Sequence, residues 1–279
     1  MKKITRRSFL AAAGLTAAAL ALTACGGSSS STASSTASSA AASSEAASSS
    51  AAADLTTVEA GKLTMATNAT FPPYEMTTDT GAFEGIDVDT AQAIAEKLGL
   101  ELQIDDMEFD AALLSVQQGK ADIVMAGVTV TDERKAVMDF SDSYATGIQS
   151  IIVPEGSDIA TPDDLAGKKI GTQRGTTGYI YCSDDFGDEN VVAYDSGLTA
   201  VQALNNGQVD AVVIDNAPAQ EYVAANPGLV VLDTSYAEED YAIGMAKGSA
   251  LEDAINAALE ELKADGTLQS IVDKYITAE

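Results

Sequence analysis

The chain has 279 residues, a formal net charge of −27, two cysteines and no histidine. This length allows one large or two modest domains. The lack of histidine excludes histidine-based catalytic triads and histidine-ligated zinc, and we expect neither a metal nor a cofactor. The strongly acidic composition argues against nucleic acids and anionic lipids as partners.

Residues 1–24 have the composition of a secretory leader. A basic start is followed by an uncharged apolar run, residues 8–24, and small residues stand directly before Cys25. This pattern predicts cleavage before Cys25 and lipidation of that cysteine, which would anchor the chain to the outer face of the cell membrane. The alternative is a membrane-spanning helix, but about 17 Ala-rich residues are short for a span. Residues 5–10 also resemble a twin-arginine signal, so the export route stays open.

Residues 25–54 consist almost entirely of Ser, Ala, Thr and Gly, a composition that predicts a flexible tether rather than a core. Cleavage before Cys25 removes four basic residues and no acid, so the mature charge becomes −31. Cys182 is then the only cysteine of the predicted folded part, which excludes an intrachain disulfide there.

Strand and helix patterns alternate along the first half of the folded part, a rhythm that predicts an α/β fold with a parallel sheet. The predicted elements are strand 62–67, helix 88–98, strand 101–104, helix 109–118, strand 121–129 and helix 132–137.

The extended run 149–153 leads into a second alternation, which predicts a second sheet. Its elements are strand 149–153, helix 162–165, strand 169–172, helix 176–182, strand 190–194, helix 198–205 and strand 211–214; strand 241–246 and helices 251–262 and 268–275 follow. We interpret this half as an insertion. Lobe 1 would comprise residues 55–148 and 243–279, lobe 2 residues 149–242, with hinges near 149–153 and 241–246. A ligand cleft is expected between the lobes, where the carboxyl ends of the strands meet.

Arg134 stands in the first turn of a predicted helix, where the helix dipole disfavours cations. It is one of only two arginines beyond the leader. One interpretation is a local ion pair with Asp132 or Asp139. The other is an anionic ligand held by the guanidinium and by free N–H groups of the helix.

Other polar residues are predicted to face the same cleft. Thr129 precedes the helix of Arg134, Thr177 lies in a glycine-flanked turn that opens another helix, and Asp215 follows a hydrophobic strand. Arginine and backbone donors suit a carboxylate, and an aspartate suits an ammonium group. The set therefore predicts binding of a zwitterionic amino acid. Phe71 is expected to form a pocket wall, while Phe109 either faces it or covers the core.

Six motifs occur together between residues 62 and 275: TNATFPPYE, EGIDVDTAQAIAEKLG, GKADIVMAGVTVTDERKAVMDFSDSY, DDLAGKKIGTQRGTTG, VDAVVIDNAPA and ELKADGTLQSIVDKY. In this order they resemble the family 3 solute-binding proteins of ABC importers for polar amino acids. The resemblance implies a two-lobe, periplasmic-binding-protein-like type II fold with two hinge crossings. It also implies an extracytoplasmic monomer that closes on a free amino acid and delivers it to a permease and its ATPase.

On the family pattern, the carboxylate is bound by Arg134 and the backbone near Thr129 and Thr177, and the ammonium by Asp215 with the Gly127 carbonyl. Phe71 and Phe109 would form an aromatic sandwich. Several relatives that bind basic amino acids have an aspartate where this chain has Asn68. A buried side-chain cation without a carboxylate partner is costly, so a neutral polar ligand is favoured, with Asn68 and Gln173 as contacts. A basic amino acid or cystine is the alternative.

Two alternatives of other classes remain at this stage. Exported cyclohexadienyl dehydratases resemble the same fold, and Glu75, Glu108 or Asp132 would be their general acid here. A sensor lipoprotein that works without a transporter would also share the fold.

Overall fold

The computed structural model describes residues 55–276, so the predicted leader, the tether and Cys25 lie outside the described residues. Within residues 55–276, every helix is too short or too polar to cross a membrane. The helices of this range, in chain order, are α1 Ile86–Leu98, α2 Phe109–Gln117, α3 Asp132–Lys135, α4 Thr177–Phe186, α5 Gly197–Asn205, α6 Asn216–Ala225, α7 Glu252–Ala264 and α8 Thr267–Tyr275.

Three sheets are formed by short strands. In chain order these are β1 Lys62–Thr67, β2 Thr70–Phe71, β3 Glu75–Thr77, β4 Phe83–Glu84, β5 Glu101–Asp106, β6 Ile123–Val124, β7 Met138–Phe140, β8 Ala145–Pro154, β9 Ile170–Gln173, β10 Val191–Tyr194, β11 Ala211–Asp215, β12 Leu229–Val231, β13 Ala237–Tyr241 and β14 Gly244–Ala246.

The first lobe is built on a five-stranded sheet in the order β5-β1-β6-β14-β7. Strand β1 runs parallel to β5 and β6, with Met65 opposite both Ile104 and Ile123. Five consecutive residues of β1 are buried, as expected for a strand covered by helices on both faces. The carboxyl ends of these strands therefore point toward one edge, where Asn68 follows β1 and Phe71 lies in the short strand β2.

The second lobe is built on the strands β10-β9-β11-β8-β12, and β13 pairs with the first half of β8. Strands β9, β10 and β11 are parallel, but β8, β12 and β13 run antiparallel to their neighbours. The first sheet likewise has β14 antiparallel to β6 and β7. The predicted parallel arrangement is confirmed for β1, β5 and β6. Each sheet is nevertheless mixed, because β14 and β8, which enter the sheets from the connecting segments, run antiparallel to their neighbours.

Two chain segments connect the sheets, and they pair with each other. Strand β8 carries the chain into the second sheet, while β13 leads back to β14 of the first. Residues Ala145 to Gln149 of β8 pair with Tyr241 to Ala237 of β13. The run predicted as one strand, 241–246, is divided at Ala242 and Ile243, where the chain passes from one sheet to the other. The residue-level lobe boundaries remain a prediction.

The predicted strand 121–129 is much shorter in the structure, because only Ile123 and Val124 join the sheet ladder. Beyond them the chain leaves the sheet at Gly127, which has a φ of 56°. Asp87 of α1 accepts a hydrogen bond of 3.0 Å from the Gly127 N–H and so holds this turn. The turn directs Thr129 toward the cleft between the sheets.

Candidate ligand-binding site

One cleft between the lobes is lined by all nine residues that the sequence predicts for ligand binding. Its own side chains nearly fill it and leave free space of about 10 Å³, roughly what one water molecule needs. A ligand therefore requires these side chains to move apart. The lining residues are Asn68, Phe71, Glu75, Phe109, Ala126, Gly127, Thr129, Arg134, Gln173, Thr176, Thr177 and Asp215.

Arg134 is buried in this cleft, with 9% of its surface exposed. Its Nη1 donates to the Thr129 carbonyl at 2.8 Å and its Nη2 to the Gly175 carbonyl of the second lobe at 3.1 Å. Its guanidinium carbon lies 5.4 Å from the centre of the Phe109 ring. No carboxylate of the described residues comes within 4 Å of the guanidinium, so an anion-binding capacity remains open.

The alternative of a local ion pair for Arg134 is wrong. Asp139 pairs instead with Lys247, 2.6 Å from Oδ1 to Nζ. Burial lowers the pKa of Arg134, but a guanidinium keeps its charge in proteins. A buried cation without a carboxylate partner is costly unless an anion joins it.

Helix α3 is a single turn and offers fewer free donors than predicted. The Thr131 hydroxyl caps it by accepting a hydrogen bond of 3.1 Å from the Arg134 N–H. The chain turns into β7 at Met138, so the predicted helix 132–137 ends early, at Lys135. Arg134 therefore contributes its side chain to the cleft, whereas its backbone N–H serves the cap.

Thr129 and Thr177 approach each other from opposite lobes, with 3.4 Å between their hydroxyl oxygens. Both hydroxyls donate to one oxygen of Glu239, at 3.1 Å and 3.0 Å. Thr177 is the first residue of α4, so its N–H has no acceptor within the helix. Thr129 lies opposite Tyr241 in an antiparallel bridge, whose backbone hydrogen bonds are made by the residues on either side of Thr129. The N–H and carbonyl of Thr129 itself face away from Tyr241, toward Arg134.

Asp215 ends β11 and is buried at the floor of the cleft. Its Oδ2 accepts a hydrogen bond of 2.9 Å from Gln149 Nε2, and its Oδ1 accepts one from the Tyr241 hydroxyl. Burial raises the pKa of Asp215 to about 7, and the negative charge of Glu239 adds to the shift. A bound ammonium group would stabilise the ionised carboxylate.

One buried acid, Asp87, holds Gly127 from behind, and a second, Glu75, lies beside Asp87. Asp87 binds the Gly127 N–H, and burial raises the pKa of Asp87 to about 6. Burial and the charge of Asp87 raise the pKa of Glu75 well above its usual range. The carboxyl group of Glu75 interacts with that of Asp87. The raised pKa favours the neutral form of the Glu75 carboxyl group.

Asn68 and Gln173 meet across the cleft. Gln173 Nε2 donates to Asn68 Oδ1 at 2.8 Å, and Asn68 Nδ2 donates to the Met107 carbonyl at 2.9 Å. Each residue is at most 5% exposed. The pair closes one end of the cleft with amide groups.

Both predicted aromatic residues line the cleft, but in different surroundings. The Phe71 ring stacks on Tyr74, with 5.8 Å between the ring centres. Phe109 packs against Arg134 on one side and against a buried cluster that includes Ala66, Ala112 and Val124 on the other. Phe109 therefore belongs to the hydrophobic core and also forms part of the cleft wall.

Three residues at the cleft floor were missed from the sequence: Gln149, Glu239 and Tyr241. Each lies on a connecting strand, where burial alternates with exposure. Glu239 and Tyr241 are buried, while Glu238 and Asp240 between and beside them are exposed. Only this alternation could have indicated a buried acid in the sequence, because residues 238–240, Glu-Glu-Asp, otherwise have the composition of a solvated acidic segment.

Comparison with known proteins agrees with this architecture. The chain is 34% identical over 226 residues to the L-cystine-binding protein TcyJ of Escherichia coli, covering 79% of this chain and 85% of that protein. It is 35% identical over 222 residues to a probable histidine-binding protein of Neisseria gonorrhoeae, covering 77% and 83% of the two chains. An ancestral arginine-binding protein with bound glutamine has a similar structure, with a TM-score of 0.75, 42% identity and coverage of 78% and 99%.

These relatives share the two-lobe type II periplasmic-binding fold, and members of the matching family act outside the cytoplasm. The profile of the bacterial extracellular solute-binding proteins, family 3, matches residues 63–278. The chain belongs to this family of bacterial extracellular solute-binding proteins.

Proposed function

We propose that the protein binds one free amino acid between its lobes and delivers it to the permease of an ABC importer. The observation that carries the proposal is the buried guanidinium of Arg134, which has no carboxylate within 4 Å among the described residues. The α-carboxylate would bind Arg134 and the N–H groups of Thr129 and Thr177. The α-ammonium would bind Asp215 and the Gly127 carbonyl.

Ligand binding and lobe closure are coupled in this proposal. Arg134 belongs to the first lobe and Asp215 to the second, so one zwitterion bridges both lobes. A ligand shifts a conformational equilibrium only through different affinities for the two states. Contact with both lobes supplies such a difference, because it exists only when the lobes are close.

For the ligand side chain, we propose a neutral polar group that contacts the amides of Asn68 and Gln173. Their contact of 2.8 Å would open to admit the side chain. A basic side chain is the second candidate, because the chain is similar to a probable histidine-binding protein and to an ancestral arginine-binding protein. Cystine is the third, since the relative TcyJ is an L-cystine-binding protein.

We also propose that the mature chain is a monomer attached to the outer face of the membrane through a lipid on Cys25. The leader pattern and the small residues before Cys25 support this attachment. Mass spectrometry of the membrane fraction would test it, because a diacylglyceryl group on Cys25 is expected and an unmodified N-terminus would contradict it.

A thermal-shift screen tests the ligand assignment. A ligand that binds only the folded state raises the melting temperature by mass action. The twenty standard amino acids, cystine and ornithine form the test set. A clear shift with one or a few of them is expected, and no shift with any of them would refute amino-acid binding.

A further inference from the structure

We propose that Glu239 is a positioning residue that holds the closed state by joining both lobes at the floor of the cleft. The inference rests on the proposed function, since it concerns the same cleft. Glu239 lies on β13, one of the two segments that connect the sheets, and it is buried.

Three donors converge on a single oxygen of this residue. Glu239 Oε2 accepts hydrogen bonds from Thr129 Oγ1 at 3.1 Å, Thr177 Oγ1 at 3.0 Å and Gln149 Nε2 at 3.0 Å. Thr129 belongs to the first lobe, Thr177 to the second and Gln149 to the connecting strand β8. Glu239 receives all three together only when the lobes are close.

The same hydrogen bonds fix the two threonines that flank the proposed carboxylate site. By holding these two side chains, Glu239 fixes the positions of the backbone N–H groups of Thr129 and Thr177 that the ligand would bind. The Gln149 amide donates to Asp215 as well, at 2.9 Å, so Glu239 also orients the proposed ammonium site. An ionised acceptor suits this role, because hydrogen bonds to a carboxylate are stronger than those to a neutral amide.

Contacts that form only on closure act mainly on dissociation, since the encounter precedes them. We therefore expect Glu239→Gln to raise the dissociation rate at least about tenfold while the association rate stays within about threefold. The matched control is Glu238→Gln, which makes the same charge change on the exposed face of β13. It should leave both rates unchanged.

The experiment measures association and dissociation rates of the full-length chain with L-glutamine, L-arginine and L-cystine, each tested separately. A dissociation rate of Glu239→Gln within about twofold of the wild type, or an equal change in Glu238→Gln, would overturn the proposal. If Arg134→Ala still abolishes binding in that case, only the role of Glu239 fails. If the wild type binds none of the three, this inference fails together with the proposed function.

A second variant keeps the test valid should Glu239→Gln fold poorly. Thr177→Val removes one hydroxyl donor but keeps the shape and the backbone N–H. It should also accelerate dissociation, and the double variant should be little faster than the faster single variant, because both changes break one network. Fully additive effects of the two changes would contradict the proposal.

Discussion

The Nη2 of Arg134 donates a hydrogen bond of 3.1 Å to the Gly175 carbonyl across the cleft. One buried guanidinium thus touches the backbone of the opposite lobe while its charge stays without a carboxylate partner among the described residues. Arg134 would therefore bind the negative charge of the ligand and contact the second lobe at the same time.

Arg134→Ala should weaken amino-acid binding by at least about 2 kcal/mol, the range for removing one side of a buried charge pair. Arg174→Ala is the matched control. The Arg174 side chain is 53% exposed and lies 3.6 Å from Asp195, so its loss should change affinity by less than about 0.5 kcal/mol. Titration calorimetry compares the two, and equal affinity of Arg134→Ala and wild type would disprove the assigned role.

Ligand affinity should decrease as the pH falls from 7 to 5. The pKa of Asp215 is about 7 in the folded protein, so below pH 7 the carboxyl group is largely protonated and a bound ammonium must displace that proton. The loss is at most about tenfold per pH unit. Calorimetry in two buffers of different ionisation enthalpy should show more proton release at pH 6 than at pH 8.

The Asp215→Asn variant should bind more weakly and release no proton from this position. The same pKa shift affects folding with a definite sign. Between about pH 4 and pH 7, Asp215 holds a proton in the folded state that it loses in the unfolded state, so its contribution to stability falls as the pH rises. A proton release that is unchanged in Asp215→Asn would assign the titration to another group.

Gly127→Ala should impair both folding and binding. Gly127 has a φ of 56°, and an added Cβ would stand 2.8 Å from Phe71 Cε1. The left-handed backbone alone costs about 1–2 kcal/mol, and the displaced Phe71 ring should lower affinity in addition. Gly119→Ala is the control, because Gly119 has a φ of 65° and open space around it. It should lose stability by a similar amount in denaturant unfolding, but keep its affinity; a matching affinity loss would contradict the role of the Gly127 turn.

Asn68→Asp should shift the preference of the site toward basic amino acids. Asn68 Nδ2 donates to the Met107 carbonyl and its Oδ1 accepts from Gln173. A carboxylate there supplies the counter-charge that a buried side-chain cation requires. Competition between L-glutamine and L-arginine measures the shift, for which we expect roughly tenfold, or about 1.4 kcal/mol. An unchanged ratio would place the ligand side chain away from Asn68.

Much of the fold could be predicted from the sequence. Strand β1 was predicted to the residue, and it begins directly after the turn at Gly61, which has a φ of 82°. Strands β2 to β4 escaped prediction, since two or three residues show no periodicity. Helix α6 was not predicted; it carries Pro218 in its first turn, where proline is tolerated.

Some residues of the site could likewise be predicted from the sequence, and others could not. Residues at strand ends and helix starts, such as Arg134 and Asp215, are predictable because those places face a cleft in an α/β fold. Glu239 was not, because its role depends on which of three consecutive acids turns inward when β13 pairs with β8. That register is set by tertiary structure rather than by the composition of the segment.

The most direct test of amino-acid recognition removes the negative charge of the ligand and leaves the protein unchanged. Calorimetry should compare the amino acid that gives the largest thermal shift with its α-carboxamide, which has the same side chain and α-ammonium but no carboxylate. Binding of the carboxamide should be weaker by at least about 2 kcal/mol, since it leaves Arg134 without an anion. Equal affinity for the two compounds would contradict the assignment of Arg134 to the α-carboxylate.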